Sequence, residues 1–342
     1  MTLKNTIEIN PDNKQIRDAV SKMNAWGKSG TPFFFIFDYA LKQPQVFTFD
    51  EAAKKKIFFE INGVKNFPKN NNLFFEKKFT DKIFFKKNPE AFEMYEKKNQ
   101  KIFCGLKLGN SFLANLTCVT PIETNLSFKE IFVRSQAKYK LLYKNKFVCF
   151  SPETFVKIAD SRISTYPMKG TIDAKIPDAE SILLNDAKEK AEHITIVDLL
   201  RNDLGSICNA VWVEKFRYVD KIFTRNGALL QVSSEICGTL PKNYKAQLGT
   251  LLLQLLPAGS ICGAPKLETL RLIASAEDYK RGFYTGICGF FDGENLDSGV
   301  LIRFIERTAT GLVFKSGGGI TAQSDAKTEY EEMIQKIYLP IY

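Results

Sequence analysis

The chain has 342 residues, of which 44% are hydrophobic and 25% charged, an ordinary balance for a globular enzyme with a sizeable core. Its apolar runs are too short to span a membrane and its first residues lack the apolar centre of a signal peptide, so we expect a cytoplasmic protein without membrane contact. Seven cysteines, an odd number without a C-x-x-C pair, argue against a disulfide framework and against a zinc or iron–sulfur centre.

The formal charge is +10, and lysines alternate with aromatic residues between Lys54 and Lys101. Such a segment could bind nucleic acid, with its charges on phosphates and its rings on bases. The alternative is a lysine-rich surface over Phe-rich core segments. We favour the surface interpretation because acidic residues are interspersed and no known nucleic-acid module is present. A positive field would also attract a small dianionic substrate.

The predicted elements begin with strands and loops over residues 1–88, including a buried strand at 31–38 and a turn or exposed loop at 70–72. Strands and helices then mix without a strict βαβ alternation, which favours an α+β fold with large, mainly antiparallel sheets. The later predictions are a helix at 91–107, strands at 111–120 and 138–150, helices at 181–200, 244–256 and 264–276, strands at 286–292 and 298–306, and a helix at 325–337.

Two acidic pairs lie on predicted helices: Glu189 with Glu192, and Glu329 with Glu332. A spacing of three residues places both carboxylates of a pair on one helix face. If the helices face each other, four carboxylates converge and need a cation. Hard oxygen ligands suit Mg²⁺, which also accepts a substrate carboxylate. Lys336 follows on the same face, and the alternative is a solvated surface with ordinary ion pairs.

Glycines at 317–319 precede a predicted helix and could cradle an anion with their backbone N–H groups, although a plain turn is equally compatible. Lys169 lies at the end of a predicted strand, between Met168 and Gly170. A lysine acts as a nucleophile only where its pKa is lowered, so an ordinary surface lysine is the alternative here.

His193 is the only histidine, and its place beside Glu192 directs it away from the carboxylate face, which favours a structural role. A glutamine amidotransferase usually needs a Cys–His pair, and no cysteine here lies in a G-x-C-x-G turn. We therefore expect that the chain does not release ammonia from glutamine itself.

Together these features resemble the chorismate-utilising enzymes, a family that includes the component I chains of anthranilate synthase and aminodeoxychorismate synthase and the isochorismate and salicylate synthases. The resemblance extends from about Leu108 to Leu339 in seven collinear blocks. The blocks are SPE (151–153), PMKGT (167–171), AEHITIVDLLRNDL (191–204), PAGS (257–260), GAPK (263–266), RGFYTG (281–286) and SGGGIT (316–321).

The resemblance implies an α+β fold in which a large mixed or antiparallel two-sheet sandwich is flanked by helices. Residues 1–88 resemble a shortened N-terminal subdomain without a clear amino-acid-binding motif, and residues 89–342 correspond to a chorismate-binding catalytic region that forms one compact unit with it.

The implied site holds one Mg²⁺ ion between Glu192 and Glu332, and this ion binds the C1 carboxylate of chorismate. Glu189 and Glu329 would surround the ion mainly through water. Glu153 resembles the general acid that protonates the departing C4 hydroxyl. The implied substrate-binding residues are Gly170, Thr171, Tyr284, Arg303, Gly318, Gly319 and Lys336.

Three positions differ between branches of the family. Anthranilate synthases usually have alanine in place of Lys169, which resembles a lysine that attacks C2 of chorismate and is displaced when ammonia enters at C4. Leu113 stands where hydrolytic members have a lysine base and aminating members commonly have glutamine, and leucine cannot deprotonate water. Gln231 replaces a histidine that anthranilate synthases link to pyruvate elimination.

The resemblance thus implies amination of chorismate to 4-amino-4-deoxychorismate, the precursor of p-aminobenzoate in folate synthesis. The implied partner is a glutamine amidotransferase in a separate chain, which supplies the ammonia. The alternatives are an anthranilate synthase component I and, from another class, a basic nucleic-acid-binding protein.

Overall fold

Residues 13–67, 82–224 and 227–341 are described by the computed structural model. The strands are β1 (Phe33–Phe37), β2 (Gln45–Phe47), β3 (Ile57–Ile61), β4 (Val64–Lys65), β5 (Phe85–Lys87), β6 (Leu113–Thr124), β7 (Tyr139–Tyr143), β8 (Phe147–Ser151), β9 (Thr154–Ala159), β10 (Arg162–Thr165), β11 (Met168–Asp173), β12 (Ala210–Thr224), β13 (Gly227–Thr239), β14 (Gly263–Ala264), β15 (Ile287–Phe291), β16 (Leu296–Val300), β17 (Phe304–Thr308) and β18 (Gly311–Ile320).

The helices are α1 (Lys14–Ser29), α2 (Phe49–Lys54), α3 (Phe92–Lys107), α4 (Phe128–Arg134), α5 (Ala179–Asn185), α6 (Ala187–Gly205), α7 (Leu248–Leu255), α8 (Gly259–Cys262), α9 (Lys266–Ala276) and α10 (Ala326–Gln335), with a 3₁₀ turn over Tyr244–Gln247. Among the described residues, none of these helices is long and apolar enough to cross a membrane.

Two nine-stranded sheets form the molecule, and their described strand pairs are antiparallel. The first has the order β11-β13-β10-β9-β16-β15-β1-β2, with β12 beside β13. The second has the order β14-β6-β18-β17-β8-β7-β3-β4, with β5 beside β6. The predicted α+β sandwich of two sheets is therefore confirmed.

Strand β1 shows why the two sheets pack together. All five of its residues are apolar and fully buried. Because successive side chains point to opposite faces, Phe34 and Ile36 enter the core between the sheets, while Phe33, Phe35 and Phe37 face the helices outside. Phe34 stacks on Phe59 of the other sheet, with ring centroids 4.8 Å apart. Helices α3, α4, α9 and α10 cover the outer face of the second sheet.

The lysine-rich segment from Lys54 contributes two neighbouring aromatic rings to the core, whereas Phe84 is exposed. Phe59 is fully buried, and Phe58 packs against buried residues of the second sheet. The lysines at 54–56 are exposed, so the charges lie on the surface while these rings stay inside. These two rings are consequently not available to stack on bases.

The predicted strand at 31–38 and the predicted helix at 91–107 are confirmed, whereas three element predictions need correction. Helix α1 replaces predicted strands and loops; its buried residues recur every three or four positions, and Asn13 caps its first turn. The helix predicted at 181–200 is two helices, because Asp186 is extended and caps α6. The strand predicted at 298–306 breaks before Phe304, where Arg303 has a φ of 53°.

Two predictions about the N-terminal region stay open. The predicted loop at 70–72 lies outside the described residues. Residues before 89 supply β1 and β2 to one sheet and β3, β4 and β5 to the other, and the division at residue 88 stays a prediction.

Candidate active site

Helices α6 and α10 bring the two acidic pairs together. Lys188 connects the helices, because its Nζ lies 3.7 Å from Glu329 Oε1 and 4.0 Å from Glu192 Oε1. Each helix begins at an aspartate, Asp186 or Asp325, whose side chain accepts a hydrogen bond from a backbone N–H three residues later. The carboxylates of both helices therefore lie in one region, an arrangement that the spacing alone leaves open.

Gly318 and Gly319 lie inside strand β18, so the predicted turn before a helix is wrong. They pair with Leu116 and Asn115 of β6, and the strand continues to Ile320. Glycine is unfavourable in strands, but pairing with a long neighbouring strand overrides that local preference.

The glycines leave room between β18 and the charged side chains. A side chain on Gly318 would begin 3.5 Å from both Glu329 Oε2 and Lys336 Nζ. A side chain on Gly319 would begin 3.4 Å from Lys169 Nζ. Lys336 Nζ also donates a hydrogen bond of 2.9 Å to the backbone oxygen of the preceding glycine at 317. Groups from α10, from Lys336 at its C-terminal end and from β11 thus converge on the glycine face of β18.

Lys169 extends from β11 toward helix α6, where its Nζ donates a hydrogen bond of 2.9 Å to Glu192 Oε2. Gly170 follows with a φ of 75° and interrupts the pairing of β11 with β13, a conformation that favours glycine. Burial lowers the pKa of Lys169, but the charges of Glu192, Glu189 and Glu332 outweigh burial and raise it. The lysine is therefore held as an ammonium among carboxylates.

The carboxylates of the two helices repel one another. Burial and then the charge of Glu192 raise the pKa of Glu189. Burial also raises the pKa of Glu329, and the charges of Glu332 and Glu192 add to this effect. Glu332 differs: burial opposes ionisation, but Lys336 at 2.6 Å outweighs it and lowers the pKa.

The chemistry of these donors fits Mg²⁺, since carboxylate oxygens are hard ligands and their repulsion is relieved by a cation. In the arrangement described for residues 13–67, 82–224 and 227–341, no three acidic, histidine or cysteine side chains are close enough to share an ion. Instead, the lysines at 169, 188 and 336 occupy the carboxylate oxygens. Metal binding therefore requires these lysines to release their oxygens, and the Mg²⁺ site stays a prediction.

Glu153 lies between β8 and β9 and is fixed at both its backbone groups. Its N–H donates to Ser151 Oγ at 3.1 Å, and its carbonyl oxygen accepts from the N–H of Val300 at 3.1 Å. Ser260 Oγ donates a hydrogen bond of 2.7 Å to Glu153 Oε1. Burial raises the pKa of Glu153, although the serine and nearby cationic side chains oppose the rise. A carboxyl biased toward its protonated form is suited to general acid catalysis.

Arg303 and Tyr284 lie in the same electrostatic environment as Glu153. Burial raises the pKa of Tyr284, as it does that of Glu153. The charge of Arg303 opposes the rise in the pKa of Tyr284 and in that of Glu153. Arg303 Nε is buried and has no hydrogen-bond partner within the described part of the chain. An unsatisfied guanidinium N–H is suited to an anionic ligand. Beside Lys169, Thr171 Oγ1 accepts a hydrogen bond of 3.4 Å from Gln231 Nε2.

His193 is buried behind the acidic face of α6. Its Nε2 lies 2.7 Å from Ser234 Oγ, and burial, followed by the charges of Arg217 and Lys169, lowers its pKa to about 4. The imidazole is thus neutral near pH 7 and bonded to a serine of β13, as expected for a structural role.

Sequence reasoning missed two contacts in this region. Ser260 bonds to Glu153, and Lys266 forms an ion pair of 2.9 Å with Asp203. All four residues lie in the blocks that carry the family resemblance, but their spacing gives no sign that they meet. Only the fold brings these distant segments together.

A family model described as "chorismate binding enzyme" matches residues 25–341. The chain is 47% identical over 322 residues to an "uncharacterized PabA-like protein" of Haemophilus influenzae, which covers 94% of this chain and 96% of that protein. It is also 30% identical to aminodeoxychorismate synthase component 1 of Bacillus subtilis. That alignment of 254 residues covers 70% of this chain and 53% of that protein.

Among solved structures, anthranilate synthase component I of Streptococcus pneumoniae has a TM-score of 0.62 and 27% identity, over 75% of this chain and 58% of that chain. The similarities therefore extend to proteins of both aminating branches, and the branch must be argued from the residues of the site.

Proposed function

Since the chain belongs to the chorismate binding enzyme family and is a chorismate-utilising enzyme, we propose that it is an aminodeoxychorismate synthase component I. It would convert chorismate and ammonia to 4-amino-4-deoxychorismate for p-aminobenzoate and folate synthesis. One observation carries the proposal: Lys169 Nζ lies 2.9 Å from Glu192 Oε2 and 3.4 Å from where a side chain on Gly319 would begin. The amine therefore borders the space beside β18 in which we expect the substrate ring.

In the proposed reaction, the neutral amine of Lys169 forms a bond to C2 of chorismate. The ring double bonds shift from C1=C2 and C5=C6 to C6=C1 and C4=C5, and the C4–O bond breaks with its electron pair on oxygen. Glu153 donates the proton with which the hydroxyl leaves as water, and the lysine nitrogen stays a secondary ammonium, so that it can later leave as the neutral amine.

Ammonia then forms a bond to C4, the double bonds return, and the C2–N bond breaks with its electron pair on the lysine. The new C4 ammonium gives one proton back to Glu153. The enolpyruvyl group stays attached throughout. We expect Arg303 and Lys336 to bind the carboxylates of the substrate, because both act on the charge of Glu153 and Lys336 Nζ borders Gly318.

Glu192 and Glu332 are the residues that would hold Mg²⁺, with Glu189 and Glu329 nearby. A divalent cation would bind the substrate C1 carboxylate and offset the negative charge that keeps Lys169 protonated, which favours the neutral amine. In its absence, the same carboxylates hold the lysine as an ammonium.

Two neighbouring residues support this branch over its rivals. Leu113 Cδ1 lies 3.0 Å from the place where a side chain on Gly319 would begin, so an apolar group borders the same glycine as Lys169. Leucine cannot activate water, which disfavours hydrolysis. Gln231 contacts Thr171 from β13, and an amide is a poor base for eliminating pyruvate. Anthranilate synthesis is accordingly the disfavoured alternative.

The proposed nitrogen donor is a separate glutamine amidotransferase chain. The only histidine, His193, bonds to Ser234 rather than to a cysteine. All seven cysteines are free thiols, which is compatible with a reducing compartment such as the cytoplasm. The chain alone should therefore use ammonium but not glutamine, and should gain glutamine use when a glutaminase subunit is added.

The covalent step is tested by mass spectrometry of the intact protein after incubation with chorismate and Mg²⁺ without ammonia. The proposal predicts an adduct with the mass of chorismate minus water, located on Lys169 and released by ammonium. Lys169→Ala should form none, whereas Lys190→Ala, an exposed lysine on the same helix as Glu192, should form it normally. Turnover by the wild type without any adduct, or an adduct that persists in Lys169→Ala, would contradict the proposal.

A further inference from the structure

A short segment between helices α7 and α9 lies against the proposed general acid. It contains the PAGS and GAPK blocks and helix α8. We propose that Ser260 in this segment is a positioning residue for Glu153, and that the Asp203–Lys266 ion pair holds the segment in place. The inference rests on the proposed function for the role of Glu153.

Ser260 provides the side-chain contact that orients the carboxyl of Glu153. The backbone of Glu153 is fixed by Ser151 and Val300, which leaves its side-chain torsions free. The hydroxyl of Ser260 donates to Oε1 at 2.7 Å. An oxygen that accepts a hydrogen bond is a poor site for the acidic proton, so the proton resides on Oε2 and can be given to the substrate.

The ion pair fixes the segment to helix α6. Lys266 Nζ lies 2.9 Å from Asp203 Oδ1 and donates a hydrogen bond of 3.2 Å to the carbonyl oxygen of Leu255. One lysine therefore joins α6 to both ends of the segment. The pair is largely buried, with 26% of the lysine and 14% of the aspartate side chain exposed. Removing one partner of such a pair strongly destabilises the folded protein, because the other charge is left buried without a counter-charge.

Two glycines allow this close packing. A side chain on Gly259 would begin 2.5 Å from Asp203 Oδ2, so only glycine lets the start of α8 approach the aspartate. Gly263 has a φ of 94°, and a side chain there would begin 1.7 Å from the carbonyl oxygen of Leu113. The segment is thus fixed to α6 on one side and to β6 on the other, with Ser260 between these contacts.

The charges around Glu153 explain why its orientation matters. Arg303, Lys336 at the C-terminal end of α10 and Lys169 on β11 all favour the ionised carboxylate, and so does the hydrogen bond from Ser260. Burial outweighs them and raises the pKa of Glu153. Removing Ser260 should free the side chain to turn toward these cations, and should also raise the pKa further because one stabilising bond to the carboxylate is lost.

The test compares Ser260→Ala, Ser260→Thr and Asp203→Asn with the wild-type chain in ammonium-dependent turnover of chorismate with Mg²⁺. Rates are measured across pH at a constant concentration of free NH₃. We expect Ser260→Ala to lower kcat by about 10- to 100-fold with little change in KM. In the profile of rate against pH, the fall on the alkaline side should move upward by about one pH unit. This is the shift in the pKa of Glu153 expected when a hydrogen bond to a charged group is lost. Ser260→Thr keeps the hydroxyl and should restore both.

Asp203→Asn should show the same pattern more weakly. The double variant with Ser260→Ala should be no slower than Ser260→Ala alone, because both changes act through one contact. If Asp203→Asn does not fold, Lys266→Gln serves the same purpose. Ser275→Ala, an exposed serine on α9, is the control and should keep wild-type turnover. An unchanged kcat in Ser260→Ala, or losses that multiply in the double variant, would overturn the inference.

The product separates this inference from the proposed function, because amination at C2 or at C4 both require loss of the C4 hydroxyl. If the wild type makes anthranilate while Ser260→Ala shows the expected loss and pH shift, the proposed function fails and the positioning role stands. If the wild type makes 4-amino-4-deoxychorismate and Ser260→Ala is unaffected, the positioning role fails alone.

Discussion

Two clusters of charged residues adjoin the β6–β18 strand pair, and they are built in opposite ways. In one, Glu277 Oε1 accepts hydrogen bonds from the N–H and hydroxyl of Thr117 and from Arg281, and Oε2 accepts from Arg281 Nε. Arg281 also donates to the carbonyl oxygen of Asn115 at 2.7 Å. Both charged residues are almost wholly buried, and their bonds to Thr117 and Asn115 hold them to β6.

The other cluster, at the candidate active site, is incompletely satisfied. The pKa values of Glu189 and Glu329 are raised, first by burial and then by neighbouring carboxylates. The comparison teaches that buried charge serves two purposes around one pair of strands. A satisfied buried pair holds the scaffold, whereas a cluster whose charges repel can gain free energy from a cation or a substrate.

The largest expected effect is on activity in the repelling cluster. Glu192→Gln and Glu332→Gln should each lower kcat/KM for chorismate by about 1000-fold or more, because stabilisation of charge by a bound metal is worth several kcal/mol. Excess chelator should likewise abolish wild-type turnover. Glu331→Gln, which removes an exposed carboxylate next to Glu332, is the control. Full activity in chelator or in either variant would show that these carboxylates do not serve a metal.

Substitution in the satisfied cluster, formed by Glu277 and Arg281, should lower stability instead of activity. Glu277→Gln leaves the buried Arg281 without its counter-charge, and we expect the free energy of unfolding to fall by about 3–5 kcal/mol. Urea unfolding measures this change. Glu268→Gln removes one partner of the exposed pair with Arg271 on α9 and should change stability by less than about 1 kcal/mol. Equal losses in the two variants would remove the distinction between the clusters.

The smallest effect concerns repulsion at the site. In metal-free protein at pH 7, Glu189→Gln should raise the free energy of unfolding by about 0.2–0.5 kcal/mol, because it removes a like charge three residues from Glu192. The pKa of Glu189 is raised in the folded chain, so its destabilising effect is absent at low pH and appears as pH rises from 4.5 through the folded value. The gain should therefore vanish near pH 4. A loss of stability at pH 7 would mean that Glu189 is satisfied after all.

The sequence predicts features that depend on local pattern. The buried Phe-rich strand and the position of each acidic pair on a helix are of this kind. The pattern leaves open whether the two helices face each other, and the contacts of Lys188 with Glu192 and Glu329 show that they do. Helix α1 is also predictable from local pattern, because its buried positions Ile16, Ala19 and Met23 have helical spacing and Asn13 and Gly30 cap its two ends. An interpretation of residues 14–29 as strands and loops misses this helical period.

Other features depend on contacts between distant segments. The glycines of β18 are extended because β6 pairs with them, and no local rule predicts a strand there. The contact between Ser260 and Glu153 joins residues 107 positions apart. The lysines that occupy the carboxylate oxygens also come from three separate elements. The sequence shows which residues are charged and which of them share a helix face. It does not show which of these charges will have a partner of opposite charge in the folded chain.

The central claim is that Lys169 directs nitrogen to C4 of chorismate, and identification of the product tests it most directly. Purified chain is incubated with chorismate, Mg²⁺ and ammonium, and the products are separated and identified by mass spectrometry. We predict non-aromatic 4-amino-4-deoxychorismate that retains its enolpyruvyl group, with p-aminobenzoate formed only after a lyase is added. In Lys169→Ala, residual amination should shift toward C2. Anthranilate and stoichiometric pyruvate as the main wild-type products would contradict the account.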